Sequence, residues 1–364
     1  VTRSEAGFKR NIHDISNAPF RTKFEDDLSK HQGNLGIGII SDYEDQPLLI
    51  GSHHGVYAIA TVGRLNNLEA LVRNALARRG THLSELKNNE YNPTEVVATL
   101  INEQATLVDG IRWAQRAIQG SCSLLLLTAD AIYVARDRLG RTPVVVGRRD
   151  GAFAVAVESS ALPNFGYETI RDLGPGEIAR VTAEGIEVVT PPGEHMQICS
   201  FLWIYHGYPA STYEGVNTEA ARNRYGQALA RRDEVAVDCV AGIPDSGIGH
   251  AIGYAAESGV PYRRPFVKYT PTWFRSFMPQ EQRVRDLVAR RAIKEIEGDA
   301  GQHLDQYADH ASERYAAMVD RIRTRLGLTT LRYQTLPDMI AAIGLPREKV
   351  CTFCWNGEAL HEDV

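Results

Sequence analysis

Residues 235–270, reading VAVDCVAGIPDSGIGHAIGYAAESGVPYRRPFVKYT, constrain the fold of this chain more than any other stretch. Val235 to Ile243 is a β-branched, apolar run without alternation, which predicts a strand buried on both faces. Pro244-Asp245-Ser246-Gly247 breaks the run, because proline fixes φ and glycine admits φ > 0. Ile248, Ile252, Ala255 and Ala256 then recur at the spacing of one helix face, closed by Gly259. Tyr262 to Lys268 completes a strand–turn–helix–strand unit. In such units ligands bind beyond the carboxyl end of the strand, where helix-start N–H groups favour anions.

The turn matches neither of the common nucleotide-binding loops. Gly247 is followed by Ile248 and not by Lys-Ser/Thr, and Gly247, Gly249 and Gly253 lack the dinucleotide spacing. Taken alone, the motif is an anion site of unknown identity or a tight turn in an α/β domain, and the plainer reading is the stronger one.

A chain of 364 residues predicts two domains. With 43% hydrophobic residues it can fill both cores, and a net charge of −5 gives no electrostatic case for nucleic acid or membrane. No apolar run approaches a membrane span and no signal peptide opens the chain. Five cysteines, with only Cys351 and Cys354 closely paired, fit a reducing compartment, and a cytoplasmic location is expected.

The first half reads as helices followed by hairpins. Asn67 is placed to cap a helix carrying Leu68, Leu71, Val72, Ala75 and Leu76, with Gly80 ending it. Thr94-Glu95 opens a second, with Val96, Val97, Leu100 and Ile101 on one face. Cys122–Leu127 and Ile132–Ala135 are predicted strands, and hairpins are expected around Asp150-Gly151 and Glu184-Gly185. Two helices and hairpin-linked strands argue for an α+β sandwich. Asp137, Arg138 and Gly140 read as a structured turn. Pro191-Pro192-Gly193 is a candidate linker. Beyond it, Asn217 caps a helix through Ala230, Tyr315, Met318, Val319, Ile322 and Leu326 form the apolar stripe of a docked helix, and Thr335-Leu336-Pro337 starts a last helix ending at Gly344.

Several specific motifs carry a family resemblance over nearly the whole chain. GIPDSG, the basic loop from Lys268 to Arg285, CSFLWIYHGYPASTYEG from Cys199 to Gly215, and the run GSCSLLLLTADAIYVARDRLGRTPVVVG with AVESSAL and LGPGEI together resemble amidophosphoribosyltransferases. These enzymes make phosphoribosylamine from phosphoribosyl diphosphate and glutamine, the first committed step of purine synthesis. The resemblance implies an α+β N-terminal-nucleophile-hydrolase-like four-layer sandwich followed by an α/β type I phosphoribosyltransferase domain. The divisions expected are residues 1–198, 199–350 and a cysteine-containing tail, 351–364. It also implies phosphoribosyl diphosphate binding by Asp245, Ser246 and Gly247, with Lys268, Arg275, Gln282 and Arg285 on a loop that closes over diphosphate. Ser246 would belong to a Mg2+ site. Ammonia or glutamine is the implied nitrogen source, and a homotetramer or homodimer the implied assembly. Arg283 is read as a solvated surface charge.

The chain departs from the family pattern in two places. A hydrophobic strand ending Asp-Asp-Ser should follow Arg290, and here the text passes directly to RAIKEIEGD. Part of the transferase core is therefore absent. Either a segment has dropped out of the sequence or the gene product lacks it; the former is expected, because losing internal strands of a parallel sheet would expose core. Second, no N-terminal cysteine nucleophile is visible. Ser41 stands where the resemblance implies a substrate-carboxylate arginine, Val62-Gly63 where it implies the oxyanion-hole Asn-Gly, and Pro93 where it implies the aspartate for the substrate amino group. One lost oxyanion donor costs roughly 100-fold or more, so an impaired glutaminase half is expected. The alternative is a non-catalytic paralogue acting as a regulatory or assembly subunit.

By itself, Cys351-Thr-Phe-Cys354 could be redox-active, half of a zinc site, or incidental. The resemblance implies a 4Fe-4S cluster, to which Cys199, Cys351 and Cys354 supply three ligands, clamping the tail onto both domains. Cys122 and Cys239 read as core residues.

Overall fold

The computed structural model describes residues 1–15, 20–41, 44–78, 83, 86–87, 90–267 and 312–357. The chain divides into two compact units, Val1–Ile198 and Cys199–Val364.

The first unit opens with a hairpin of β1 (Thr2–Ser4) and β2 (Gly7–Lys9), helix α1 (Phe20–Leu28) and β3 (Leu35–Gly36). Next come β4 (Leu48–Ser52), β5 (Gly55–Leu65), α2 (Leu68–Leu76), the ribbon β6 (Leu86–Lys87) and β7 (Glu90–Tyr91), α3 (Pro93–Ile101) and α4 (Leu107–Ala117). Strands β8 (Gly120–Leu127), β9 (Ile132–Ala135), β10 (Val145–Arg149) and β11 (Ala152–Ala156) follow. Helix α5 (Ala161–Asn164) and strands β12 (Glu168–Asp172), β13 (Ile178–Val181) and β14 (Ile186–Thr190) complete the unit.

Six strands make one antiparallel sheet in the order β14-β13-β9-β8-β5-β4. Alternation along its central strands sets the layers. Ile59, Leu124 and Leu126 face α2, α3 and α4 in a core with Leu71, Val97, Ile101 and Ile111. Ala58, Ala60 and Leu127 point the other way, toward Val1 and Ile37, while Val134 and Ala179 meet Val144 and Val146. The latter belong to a second sheet, β11-β10-β12. Helix α5 covers that sheet from outside: a Cβ on Gly147 would lie 3.0 Å from Leu162. Helix, sheet, sheet and helix are thus stacked.

Both expected hairpins form, and Asp137 nucleates the expected turn. Its carboxylate accepts from the backbone N–H groups of Arg141 and Thr142 at 3.0 and 2.9 Å. The buried Arg136 donates to the carbonyls of Thr142, Gly140 and Leu173. Asn67 precedes α2 but does not cap it. Its side chain instead bridges to the end of α4 and the residue before β8, donating to Ala117 O and accepting from Gln119 N–H. The helix ends at Leu76 with Ala77 as its cap; Gly80 lies outside the described residues.

In the second unit, Asn217 caps α6 (Thr218–Arg232) by accepting from Ala220 N. Helix α7 (Gly247–Ser258) packs against it, ending at Gly259 with φ 74°. The two cross at contact distance because glycines line the crossing. A Cβ on Gly226 would fall 1.8 Å from His250 O, and one on Gly253 2.0 Å from Asn223 O. The helices run parallel, since Glu219 neighbours Gly249 at one end and Arg231 pairs with Glu257 at the other. The predicted helices also form as α8 (Glu313–Arg325), burying Met318 and Ile322, and α9 (Leu336–Ile343), which Thr335 caps and Gly344 closes. Among the described residues no helix is long and apolar enough to cross a membrane.

The expected strand pair of the second unit does not form. Val235–Ile243 is not a buried strand, and Tyr262–Val267 is not its partner beyond a single parallel bridge, Val240↔Tyr262. Val237, Ile243, Phe266 and Val267 are exposed. A strand buried on both faces needs sheet neighbours and covering layers, and among the described residues this run makes a single β-bridge, in which Val240 N–H donates to Pro261 O and Arg263 N–H donates to Val240 O. Cys239 is exposed for the same reason, and is not a core residue as expected; Cys122 is buried in β8.

Candidate functional site

The Pro244–Gly247 turn launches α7 as the sequence predicts. Gly247 N–H donates back to Ile243 O at 3.0 Å and Ile248 N–H to Asp245 O at 3.2 Å. Ser246 occupies the N-cap position in αR geometry, and its side chain makes no capping hydrogen bond. That leaves a hydroxyl at the positive end of a helix dipole, where a phosphate oxygen or the metal of a metal–phosphate complex is stabilised. Asp245 is exposed and Ser246 half-buried at the same turn. The hydroxyl and carboxylate are hard oxygen donors of the kind Mg2+ accepts, alongside water and substrate phosphates. Lys268, Arg275, Gln282 and Arg285 lie outside the described residues.

A second constellation gathers the tail. Ser200 N–H donates to Cys351 O at 3.4 Å, Trp355 Nε1 donates to Ser200 Oγ at 2.9 Å, and the Phe201 and Trp355 rings stack with centroids 4.9 Å apart. These contacts hold Cys351 and Cys354 beside Cys199. Burial first, and then the neighbouring Cys351 and Cys354, push the Cys199 thiol up to about 12. A thiol in that state becomes a thiolate only when a cation takes the proton's place. Among the described residues, no three His, Cys, Asp or Glu side chains converge as they would on a single metal ion. Thiolates are the donor type that an iron–sulfur cluster takes.

The third constellation sits where the resemblance puts glutamine. The structure brings Ser41, Val62 and Pro93 around one polar knot that sequence reasoning missed. Thr94, fully buried at the start of α3, joins its hydroxyl to Thr61 Oγ1 at 2.6 Å and donates to Glu44 Oε1 at 2.9 Å. Thr94 N–H donates to Glu44 Oε2 at 3.1 Å. Gln46 is buried and closes the knot by accepting from Thr61 N–H and donating to Thr61 O. Asn92 caps α3 by accepting from Thr94 and Glu95 N–H. Burial raises the Glu44 carboxyl above the usual range, and the Thr94 hydrogen bonds offset part of that shift. Val62 brings an apolar side chain, and Pro93 offers neither a side-chain ligand nor an N–H. Ser41 is exposed, its hydroxyl accepting from Glu44 N–H. The signal available in the sequence was the polar cluster Glu44-Asp-Gln46 against an apolar strand, and nothing local paired it with Thr94.

Comparison with known proteins gives the chain its relatives. Residues 33–164 match the glutamine amidotransferase domain model. The amidophosphoribosyltransferase of Archaeoglobus fulgidus is 33% identical over 256 residues, covering 69% of this chain and 54% of the relative. That of Bacillus subtilis is 32% identical over 284 residues, covering 75% and 58%. The chain thus spans little more than half the length of the curated relatives it matches. The solved glutamine phosphoribosylpyrophosphate amidotransferase of B. subtilis, complexed with ADP and GMP, superposes with a TM-score of 0.70 at 25% identity, covering 88% of this chain and 82% of that one. The fold is therefore an N-terminal-nucleophile-hydrolase-like amidotransferase sandwich followed by a phosphoribosyltransferase domain. The chain belongs to the amidophosphoribosyltransferase family.

Proposed function

We propose that this protein displaces diphosphate from magnesium phosphoribosyl diphosphate with ammonia, giving 5-phosphoribosylamine, and that its glutaminase half is impaired. The observation that carries the reading is the Pro244–Gly247 turn, which offers the Ser246 hydroxyl and the first turn of α7 to a phosphate-bearing ligand. In the reaction the ammonia lone pair forms the C1–N bond as the C1–O bond to diphosphate breaks, and the nitrogen then loses a proton to solvent. The turn's part is to hold the substrate and bear the charge that grows on the leaving group. Lys268, Arg275 and Arg285 would neutralise that diphosphate, Gln282 would hydrogen-bond to it, and the four would keep water from the ribosyl cation. Mg2+ would reach the turn as the counter-ion of the substrate, beside Ser246.

Val62 and Pro93 at the glutamine position support the impaired half, since neither side chain can donate to an oxyanion or accept from an amino group. Cys199, Cys351 and Cys354 would hold a 4Fe-4S cluster with a fourth ligand from the segment that the resemblance expects after Arg290 and this sequence does not contain. That cluster supplies a structural tie for the tail. Anaerobically purified protein should then contain iron and acid-labile sulfide in near-equal amounts; zinc without sulfide sinks the cluster.

The test of function supplies each nitrogen source in turn. Diphosphate should be released with ammonium at alkaline pH, where free ammonia is the nucleophile, and no glutamate should be released from glutamine above background. Robust glutamate release would show that the matching of Val62 and Pro93 is wrong. Silence with both sources would overturn the transferase reading.

A further inference from the structure

Helices α6 and α7 run parallel, so both positive ends lie at the side of the Pro244–Gly247 turn. One carboxylate sits between them. A Cβ on Gly249, in the first turn of α7, would lie 2.7 Å from Glu219 Oε2 and 2.8 Å from Glu219 Oε1. Glu219 belongs to the first turn of α6 and is half-buried. Its backbone is held by a hydrogen bond from its N–H to Pro209 O at 3.2 Å and by Asn223 Nδ2, which donates to Glu219 O at 2.8 Å. Its side chain, by contrast, has no hydrogen bond or ion pair among the described residues. Gly249 gives it the room: any side chain there would displace the carboxylate.

A carboxylate at a helix start is favourable, but here it also stands next to the turn that would receive phosphate oxygens. Its charge repels a bare anion at that turn and is neutral or favourable toward an anion that arrives with a divalent cation. We infer that Glu219 is a specificity-determining residue that makes the Pro244–Gly247 turn take metal-complexed diphosphates and reject metal-free ones. This rests on the proposed substrate site at the turn. Glu219 need not touch the metal. It acts as a fixed negative charge that the metal must offset.

The variant that isolates the charge is Glu219→Gln, which keeps the shape against Gly249; Glu219→Ala serves as a second variant should the glutamine form fold poorly. Binding of inorganic diphosphate to the full chain is measured by calorimetry with and without Mg2+. The wild type should bind far more tightly with Mg2+. The variant should gain about tenfold in metal-free affinity, the order expected for removing one unit charge beside an anion in a partly exposed site. Its affinity with Mg2+ should change much less. A packing role alone would shift both affinities together. If the wild type binds magnesium diphosphate and the folded variants keep the same metal dependence, the role of Glu219 is refuted while the site stands. If neither form binds diphosphate with or without Mg2+, the site itself is refuted, and the inference with it.

Discussion

Replacing Thr94 by valine tests the polar knot at the start of α3. Valine keeps the shape of a residue that is fully buried, and removes one hydroxyl. That hydroxyl donates to Glu44 Oε1 at 2.9 Å and lies 2.6 Å from Thr61 Oγ1. A hydrogen bond to a charged partner contributes about 1.5–3 kcal/mol and a neutral one about 1 kcal/mol. Thr94→Val should therefore cost about 3 kcal/mol while Glu44 is ionised. The pH dependence has a definite sign. Burial raises the folded-state pKa of Glu44, so its contribution to stability is fully present below the unfolded-state pKa and fades as pH rises through the folded value. The lost bond favoured the carboxylate, so its removal raises the pKa further and deepens that fade. The deficit of the variant should shrink toward about 1 kcal/mol when pH falls below the ordinary carboxyl range. Urea denaturation followed by circular dichroism, at neutral and acidic pH, reads both values. A deficit under about 0.5 kcal/mol, or one that is the same at both pH values, would refute the role assigned to the knot.

Two further substitutions probe the second unit. Gly226→Ala puts a methyl where His250 O already lies; the helices must part, and thermal denaturation should show a loss of about 3 kcal/mol or more, whereas an unchanged melting temperature contradicts the crossing. Tyr225→Phe removes a buried hydroxyl that has no hydrogen-bond partner among the described residues, so the same measurement should show stability unchanged or raised by up to about 1 kcal/mol, and a clear loss would reveal a partner at that oxygen.

Legibility in the sequence followed the range of the interaction. Asn217, Thr335, Gly259 and Gly344 are helix boundaries set by residues within one turn, and each forms as read. The hairpins at Gly151 and Gly185 are equally local, as is the Pro244–Gly247 turn. Asn67 looked the same and behaved otherwise, because Ala117 and Gln119 offered its amide better partners from fifty residues away.

What the sequence determined by itself is the set of elements, the alternation that sorts their faces, and the motifs that carry the family. Tertiary structure alone decided the polar knot and the charge beside the turn. Glu44 meets Thr94 across 50 positions, and Glu219 meets Gly249 across two helices. Packing also decided the state of Val235–Ile243. Its apolar pattern states a preference for burial, but burial is a property of neighbours, and a single β-bridge at Val240 among the described residues leaves Val237 and Ile243 in solvent. A strand pattern is local, whereas the sheet that would bury it is not.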